Sequence, residues 1–143
     1  MRFLTLIFAF SLTACAGAVQ IGPAGQDPDP TIIGEGEVPS NEILVYRRTE
    51  VGLVTNVATA PAILLNGRSI GTCRVGQPIL IRVPQGTWTI TAMTANGQVN
   101  QEVAVGEGDR ANLRCGTSPV PSLSPAPTLI TVATEVAQEE AGL

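Results

Sequence analysis

Three cysteines, eight arginines and twelve carboxylates are the chemically active groups of this 143-residue chain. It contains no His and no Lys. A His-based triad, a His metal site and a Lys Schiff base are therefore excluded. Ser and Thr hydroxyls are plentiful, but none has a His or Lys base to activate it for acyl transfer. Glu102, Glu107 and Asp109 lie close in sequence and invite comparison with a paired-carboxylate hydrolase site or a calcium loop. Paired carboxylates that cleave glycosides need a fixed separation and a cleft where a sugar stacks. The single tryptophan, Trp88, is placed in the core by the alternation around it, and Asp109 more simply closes a Gly-rich turn. No catalytic residue, metal-ligand set or cofactor is expected, and the chain reads as non-enzymatic.

Cys73 and Cys115 are about 42 residues apart. Redox-active pairs usually sit close together, as in Cys-x-x-Cys, with a helix end or a cation to lower a thiol pKa. Arg74 and Arg114 do adjoin the two cysteines, so a redox couple and two free thiols stand as alternatives to a structural disulfide. A bridge across that separation would remove about 4 kcal/mol of chain entropy from the unfolded state. The arginines concentrate in residues 43–116, where seven face only Glu50, Glu102, Glu107 and Asp109, while the flanks on both sides are acidic. Arg82 and Arg114 fall on strand faces opposite apolar neighbours. They are the candidate anion-binding residues, their guanidinium forks suiting anionic cell-wall or lipopolysaccharide groups. The plainer reading is that Arg solvates the outer strand faces and blunts sheet edges. The overall formal charge of −4 argues against polyphosphate, and no nucleic-acid partner is expected.

The elements that must position these groups are short β-branched runs separated by turn signals at 8–12-residue spacing. Strands are predicted over 43–48, 62–65, 68–73, 78–83, 87–95, 98–105 and 110–115. Asn66-Gly67 and Asn96-Gly97 each sit between apolar runs, a strong hairpin signal because a type I′ turn needs positive φ twice. Thr87 to Ala95 alternates, with Trp88 and Ile90 on one face and Thr on the other. The expected fold is all-β, a small antiparallel sandwich or half-open barrel of six to seven strands with disordered flanks. So small a core, poor in aromatics, would be marginal without a staple.

The flanks divide as follows. Residues 1–14 form a targeting segment, 15–42 a tether, 43–116 the β-domain and 117–143 a tail. The tether carries four Pro, five Gly and five acids. Stretched out it would span about 90 Å. The tail opens with four Pro in 118–127. Leu129, Val132 and Val136 fit helical spacing, but Thr, Ile and Val are weak helix formers, so the tail reads as disordered.

Arg2 and the apolar run Phe3–Leu12 form a short charged and hydrophobic leader, ten apolar-region residues where a spanning helix takes about 20. The leader ends in Leu12-Thr13-Ala14-Cys15, which resembles the lipobox of bacterial lipoproteins. That resemblance implies diacylglyceryl transfer to the Cys15 thiol, cleavage before Cys15 and acylation of the new amine. Three acyl chains would hold the chain on a membrane. Ala16 follows, without the Asp that resembles an inner-membrane retention signal, so outer-membrane anchoring facing the periplasm is expected. In that oxidising compartment the remaining Cys73 and Cys115 read as a pair. The folded span resembles domain-of-unknown-function family 2846 and, more loosely, the PEGA-type β-domains of bacterial envelopes. The residues that carry this are Val45-Tyr46-Arg47, then Leu65-Asn66-Gly67 with Ile70-Gly71, and Val83 to Ile90. Gln85 departs from the family's adjacent Pro-Gly. The family has no established activity, so the resemblance implies an envelope β-module whose partner is an envelope protein or polysaccharide.

Overall fold

The computed structural model describes residues 31–33, 40–48, 59–118 and 125–141. Their organisation follows from one strand, β2 (Asn41–Tyr46), in which Ile43, Leu44, Val45 and Tyr46 are all buried. Successive side chains of a strand point to opposite faces, so an unbroken buried run means both faces of the sheet are covered there. β2 is accordingly the middle strand of a five-stranded sheet in the order β1-β5-β2-β8-β9. Its neighbours are β1 (Thr31–Ile32), β5 (Ile79–Val83), β8 (Arg110–Thr117) and β9 (Pro127–Val132). Ile43 and Val45 face inward onto a second, four-stranded sheet, order β4-β3-β6-β7, made of β3 (Ala62–Leu65), β4 (Arg68–Thr72), β6 (Gly86–Thr94) and β7 (Gly97–Val105). Leu44 and Tyr46 face outward, where helix α1 (Thr134–Ala141) lays Ala137 on them and on Leu80.

The main core is aliphatic. Ile43, Val45, Ile81, Val83 and Leu113 of the first sheet meet Ile63, Leu65, Ile90, Val103 and Val105 of the second. Fully burying one such side chain is worth about 1.5–3 kcal/mol. The two sheets do not close into a barrel. Trp88 is half-buried at the core's margin, its indole Nε1 donating to the Pro84 carbonyl at 3.0 Å.

The all-β class and all seven predicted strands are present, with ends shifted by at most two residues. Asn66 and Gly67 have φ of 45° and 81°, the doubly positive turn that Asn-Gly favours. The second hairpin turns one residue earlier than predicted. Thr94 pairs with Gly97, so Ala95 and Asn96 form the loop and Gly97 opens β7.

Four expectations are corrected. The pairing is not wholly antiparallel, since β2 runs parallel to β8 and β1 parallel to β5. β8 arrives from across the sandwich rather than through a hairpin, so nothing forces it to reverse. The domain also begins earlier than residue 43. Asn41 and Glu42 belong to β2, and Thr31–Ile32 inside the supposed tether pair with Ile81 and Arg82. The supposed tail is part of the fold over 127–141. Thr, Ile and Val are weak in helices but strong in strands, and β9 pairs with β8 over six positions with Leu129 in the core. Finally, Thr134–Ala141 is helical, and it is rich in the strong helix formers Ala, Glu and Gln, unlike the Thr, Ile and Val before it. Eight residues are too few for a stable isolated helix, and docking on Leu44, Tyr46 and Leu80 supports it. The targeting segment and Cys15 lie outside the described residues.

Candidate functional site

Cys73 follows β4 and Cys115 lies on β8, so the two belong to opposite sheets. Both are buried, and they are joined as a disulfide with a Cα–Cα distance of 6.5 Å, inside the range such bridges adopt. The bridge staples one sheet to the other within the aliphatic core. A sulfur pair so enclosed is shielded from attack by an external thiolate, which needs access as well as thiolate character.

The outer face of the five-stranded sheet gathers the ionisable groups in two clusters. The first is a row across three strands. Arg82 and Arg110 stand directly opposite Glu42 in register, on β5 and β8 respectively. Arg82 Nε donates to Glu42 Oε1 at 3.3 Å and Arg110 Nε to Oε2 at 2.8 Å, with Arg110 Nη2 also on Oε2. The second cluster centres on Glu140 of α1. The Tyr46 hydroxyl donates to Oε2 at 2.7 Å, Arg114 Nη1 to Oε1 at 2.6 Å, and Arg48 Nε lies 3.3 Å from Oε1. Burial pushes the Tyr46 phenol well above its ordinary pKa, and the Glu140 carboxylate that accepts its hydrogen bond pushes the same way. Burial alone would raise the Glu140 carboxyl. The Tyr46 hydrogen bond, the Arg114 hydrogen bond and the charges of Arg114 and Arg48 together outweigh it, leaving Glu140 below the usual carboxylate value. These cations also adjoin the last turn of α1, where the helix dipole is negative and the helix has no basic residue of its own.

Arg82 and Arg114, expected to be free for an external anion, are therefore both engaged by carboxylates of this chain. The physical reason differs between them. Glu42 lies at the outer edge of the predicted domain and is cross-strand from Arg82, a pairing that sheets favour. Glu140 arrives on a helix that was not expected. Glu42, Tyr46 and Glu140 are thus the residues that sequence reasoning missed. The unbroken apolar run of β2 was the one available signal, because it requires a covering layer.

The remaining carboxylates stay apart. Glu102 is exposed on β7 opposite Thr89, and Glu107 is exposed in the following turn. Asp109 closes that turn as expected, with Gly106 N donating to its Oδ2 and its own N donating to Gly106 O, each at 3.2 Å. Arg47 is buried at the end of β2, its Nη2 donating to Thr59 Oγ1 at 3.1 Å, and burial lowers its pKa. Among the described residues, no group of three acidic or thiol side chains is placed to hold a metal, and no helix is long and apolar enough to cross a membrane. No family model, curated protein or solved structure matches this chain.

Proposed function

We propose that this chain is a lipid-anchored envelope protein, tied to a membrane through acyl chains on Cys15, whose β-domain serves as a non-enzymatic binding or structural module. The observation that carries the proposal is Leu12-Thr13-Ala14-Cys15 at the end of a leader with one Arg and a ten-residue apolar run. Two further features support it. The buried Cys73–Cys115 bridge suits an oxidising compartment such as the periplasm. The two carboxylates gathered on the outer face, Glu42 and Glu140, are each neutralised by arginines of this same chain, which suits a structural role. The absence of Asp after Cys15 favours the outer membrane, and the resemblance to family 2846 fits an envelope role. The partner would be an envelope protein or polysaccharide. An arginine face for anionic cell-wall or lipopolysaccharide groups ranks second, because Arg82 and Arg114 would first have to leave Glu42 and Glu140.

The test is the N-terminal peptide of the protein made in a bacterium. The expected product begins at Cys15, carries three acyl chains by mass, and partitions into detergent with the outer-membrane fraction. A freely soluble product with a bare Cys15 thiol, or one that keeps residues 1–14, would falsify the anchor.

A further inference from the structure

Two hairpin turns of this domain carry Asn followed by Gly, at Asn66-Gly67 and at Asn96-Gly97. That dipeptide is open to attack from within. The backbone nitrogen of the second residue lies one ring closure away from the side-chain carbonyl carbon of the first, and glycine has no Cβ to obstruct the approach. Both pairs are exposed, so exposure does not distinguish them.

They differ in how they are held. Asn66 N donates to Thr89 O at 2.8 Å, and Asn66 Oδ1 accepts from Thr89 N at 2.9 Å. Backbone and carboxamide are thereby both fastened to β6, from outside the turn. Asn96 has its backbone N on Thr94 Oγ1 at 3.3 Å, a bond that stays inside its own turn. The Asn96 carboxamide has no hydrogen-bond partner among the described residues. The Ala95–Asn96 loop is closed by the Thr94–Gly97 pair at the free end of β6 and β7, and the next pair, Met93 with Gln98, is exposed on both strands. Ring closure requires the carboxamide to swing over the Gly97 nitrogen, so its rate follows how readily the turn opens. A hairpin tip without outside anchors opens at less cost than one tied to a neighbouring strand.

We propose that Asn96 is the residue at which this domain deamidates, and that Asn66 is spared by its two bonds to Thr89. In the opened turn the Gly97 nitrogen gives its proton to solvent base and attacks Asn96 Cγ. A new C–N bond forms, the carboxamide C–N bond breaks, and ammonia leaves carrying a proton from solvent. Water then opens the five-membered ring at either carbonyl. The product is an aspartyl residue or an isoaspartyl residue, the second with an extra methylene in the backbone. No electrons are exchanged, and water is the one reagent consumed. The hairpin tip gains a negative charge, while Ile90 and Ala92 further along β6 stay in the core. The reaction does not depend on the lipid anchor or on what the domain binds.

The full chain is held at mildly alkaline pH, folded in buffer and unfolded in guanidinium chloride, and sampled over time. Cleavage after Arg puts the two pairs in separate peptides, 49–68 and 83–110. Fragment masses then report the conversion of each amide to acid, and methyl transfer by an isoaspartyl methyltransferase reports the isoaspartyl product. In the folded chain Asn96 should convert at least about tenfold faster than Asn66, the factor expected when two hydrogen bonds must break before the slower site can react. In denaturant the Asn66 rate should rise to meet that of Asn96. Asn96→Gln, whose ring closure would need a sixth member, should remove the fast phase and leave the Asn66 rate unchanged. Equal rates in the folded chain, or a faster Asn66, overturn the proposal. So does an Asn96 that stays intact in the folded chain while the unfolded chain reacts. A preference for Asn96 that persists undiminished in denaturant overturns it too, because the neighbours in sequence would then set it rather than the bonds to Thr89.

Discussion

Replacing both Cys73 and Cys115 by alanine tests what holds the sandwich together. The bridge closes 42 residues between opposite sheets. The chain-entropy relation gives that loop about 13 cal/mol/K, hence about 4 kcal/mol at room temperature. Both sulfurs are also buried among Val, Leu and Ile, so truncation adds a further loss of about 1 kcal/mol. A domain of this size commonly has only 5–15 kcal/mol in total, so a loss near 5 kcal/mol takes a third of it or more. The melting temperature should fall by about 20 °C or more, at roughly 4–8 °C per kcal/mol for so small a unit. Urea unfolding of the oxidised protein and the double variant, without reductant, measures the free-energy difference directly. A slope that rises in the variant would add that its unfolded state is more extended, as loss of a cross-link requires. A difference below about 1 kcal/mol would refute the reasoning, because loop closure and buried sulfur packing would then both have failed to register.

Other perturbations give distinct readouts. Leu129→Ala should cost about 2–4 kcal/mol in urea unfolding, as a core residue does, and near-zero loss would return 127–132 to a mere tail. Gly67→Ala places a methyl at φ 81° and should cost about 1 kcal/mol with no contact changed. Melting temperature against pH should fall at both ends. The depressed Glu140 value makes its contribution full above the unfolded pKa near about 4.3 and lost as pH drops through the folded value. The raised Tyr46 value makes its contribution full below about 10 and lost as pH climbs beyond it. Tyr46→Phe should flatten the alkaline limb and Glu140→Gln the acid limb, and an unchanged profile in either variant removes that assignment.

Local signals made most of the β-domain legible. The Asn66-Gly67 pair forecasts its turn because only residues tolerant of positive φ can occupy it, and the alternation over Thr87 to Ala95 puts Ile90 inside. What failed was long-range. A two-residue strand such as Thr31–Ile32 has no periodicity of its own and exists only because β5 presents an edge. Pro127–Val132 follows a proline-rich stretch and carries no turn signal of its own, and its pairing with β8 is a long-range contact. The same gap explains the arginines. Strand parity correctly put Arg82 and Arg114 on an outer face, but parity says nothing of what else occupies that face. Glu42 came from beyond the predicted boundary and Glu140 from a segment read as disordered. The seven-strand pattern lost its cover for want of one deduction, since four successive buried residues in β2 require a layer on each side.

β1 alters how a lipid-anchored chain would present its domain. Counted to the first residue of β2, the link from Cys15 is 26 residues and could stretch to about 90 Å. With Thr31 and Ile32 in the sheet, the link ends at Thr31 after 16 residues, and its limit falls to about 55 Å. Pull from the anchor would therefore enter the domain at β5, beside β2, rather than at the start of β2 itself. Ile33 N donates to Arg82 O at 2.9 Å on the same edge, extending the attachment by one residue. So short a parallel ladder is the weakest of the sheet's strand pairings, because it offers few hydrogen bonds and Ile32 is 49% exposed. Ile81 and Val83 belong to the core between the sheets, while Ile33, which follows β1, packs only partly buried against it. In the proposed anchored arrangement, that one pairing separates a domain kept close to its membrane from one with about 1.6 times the reach.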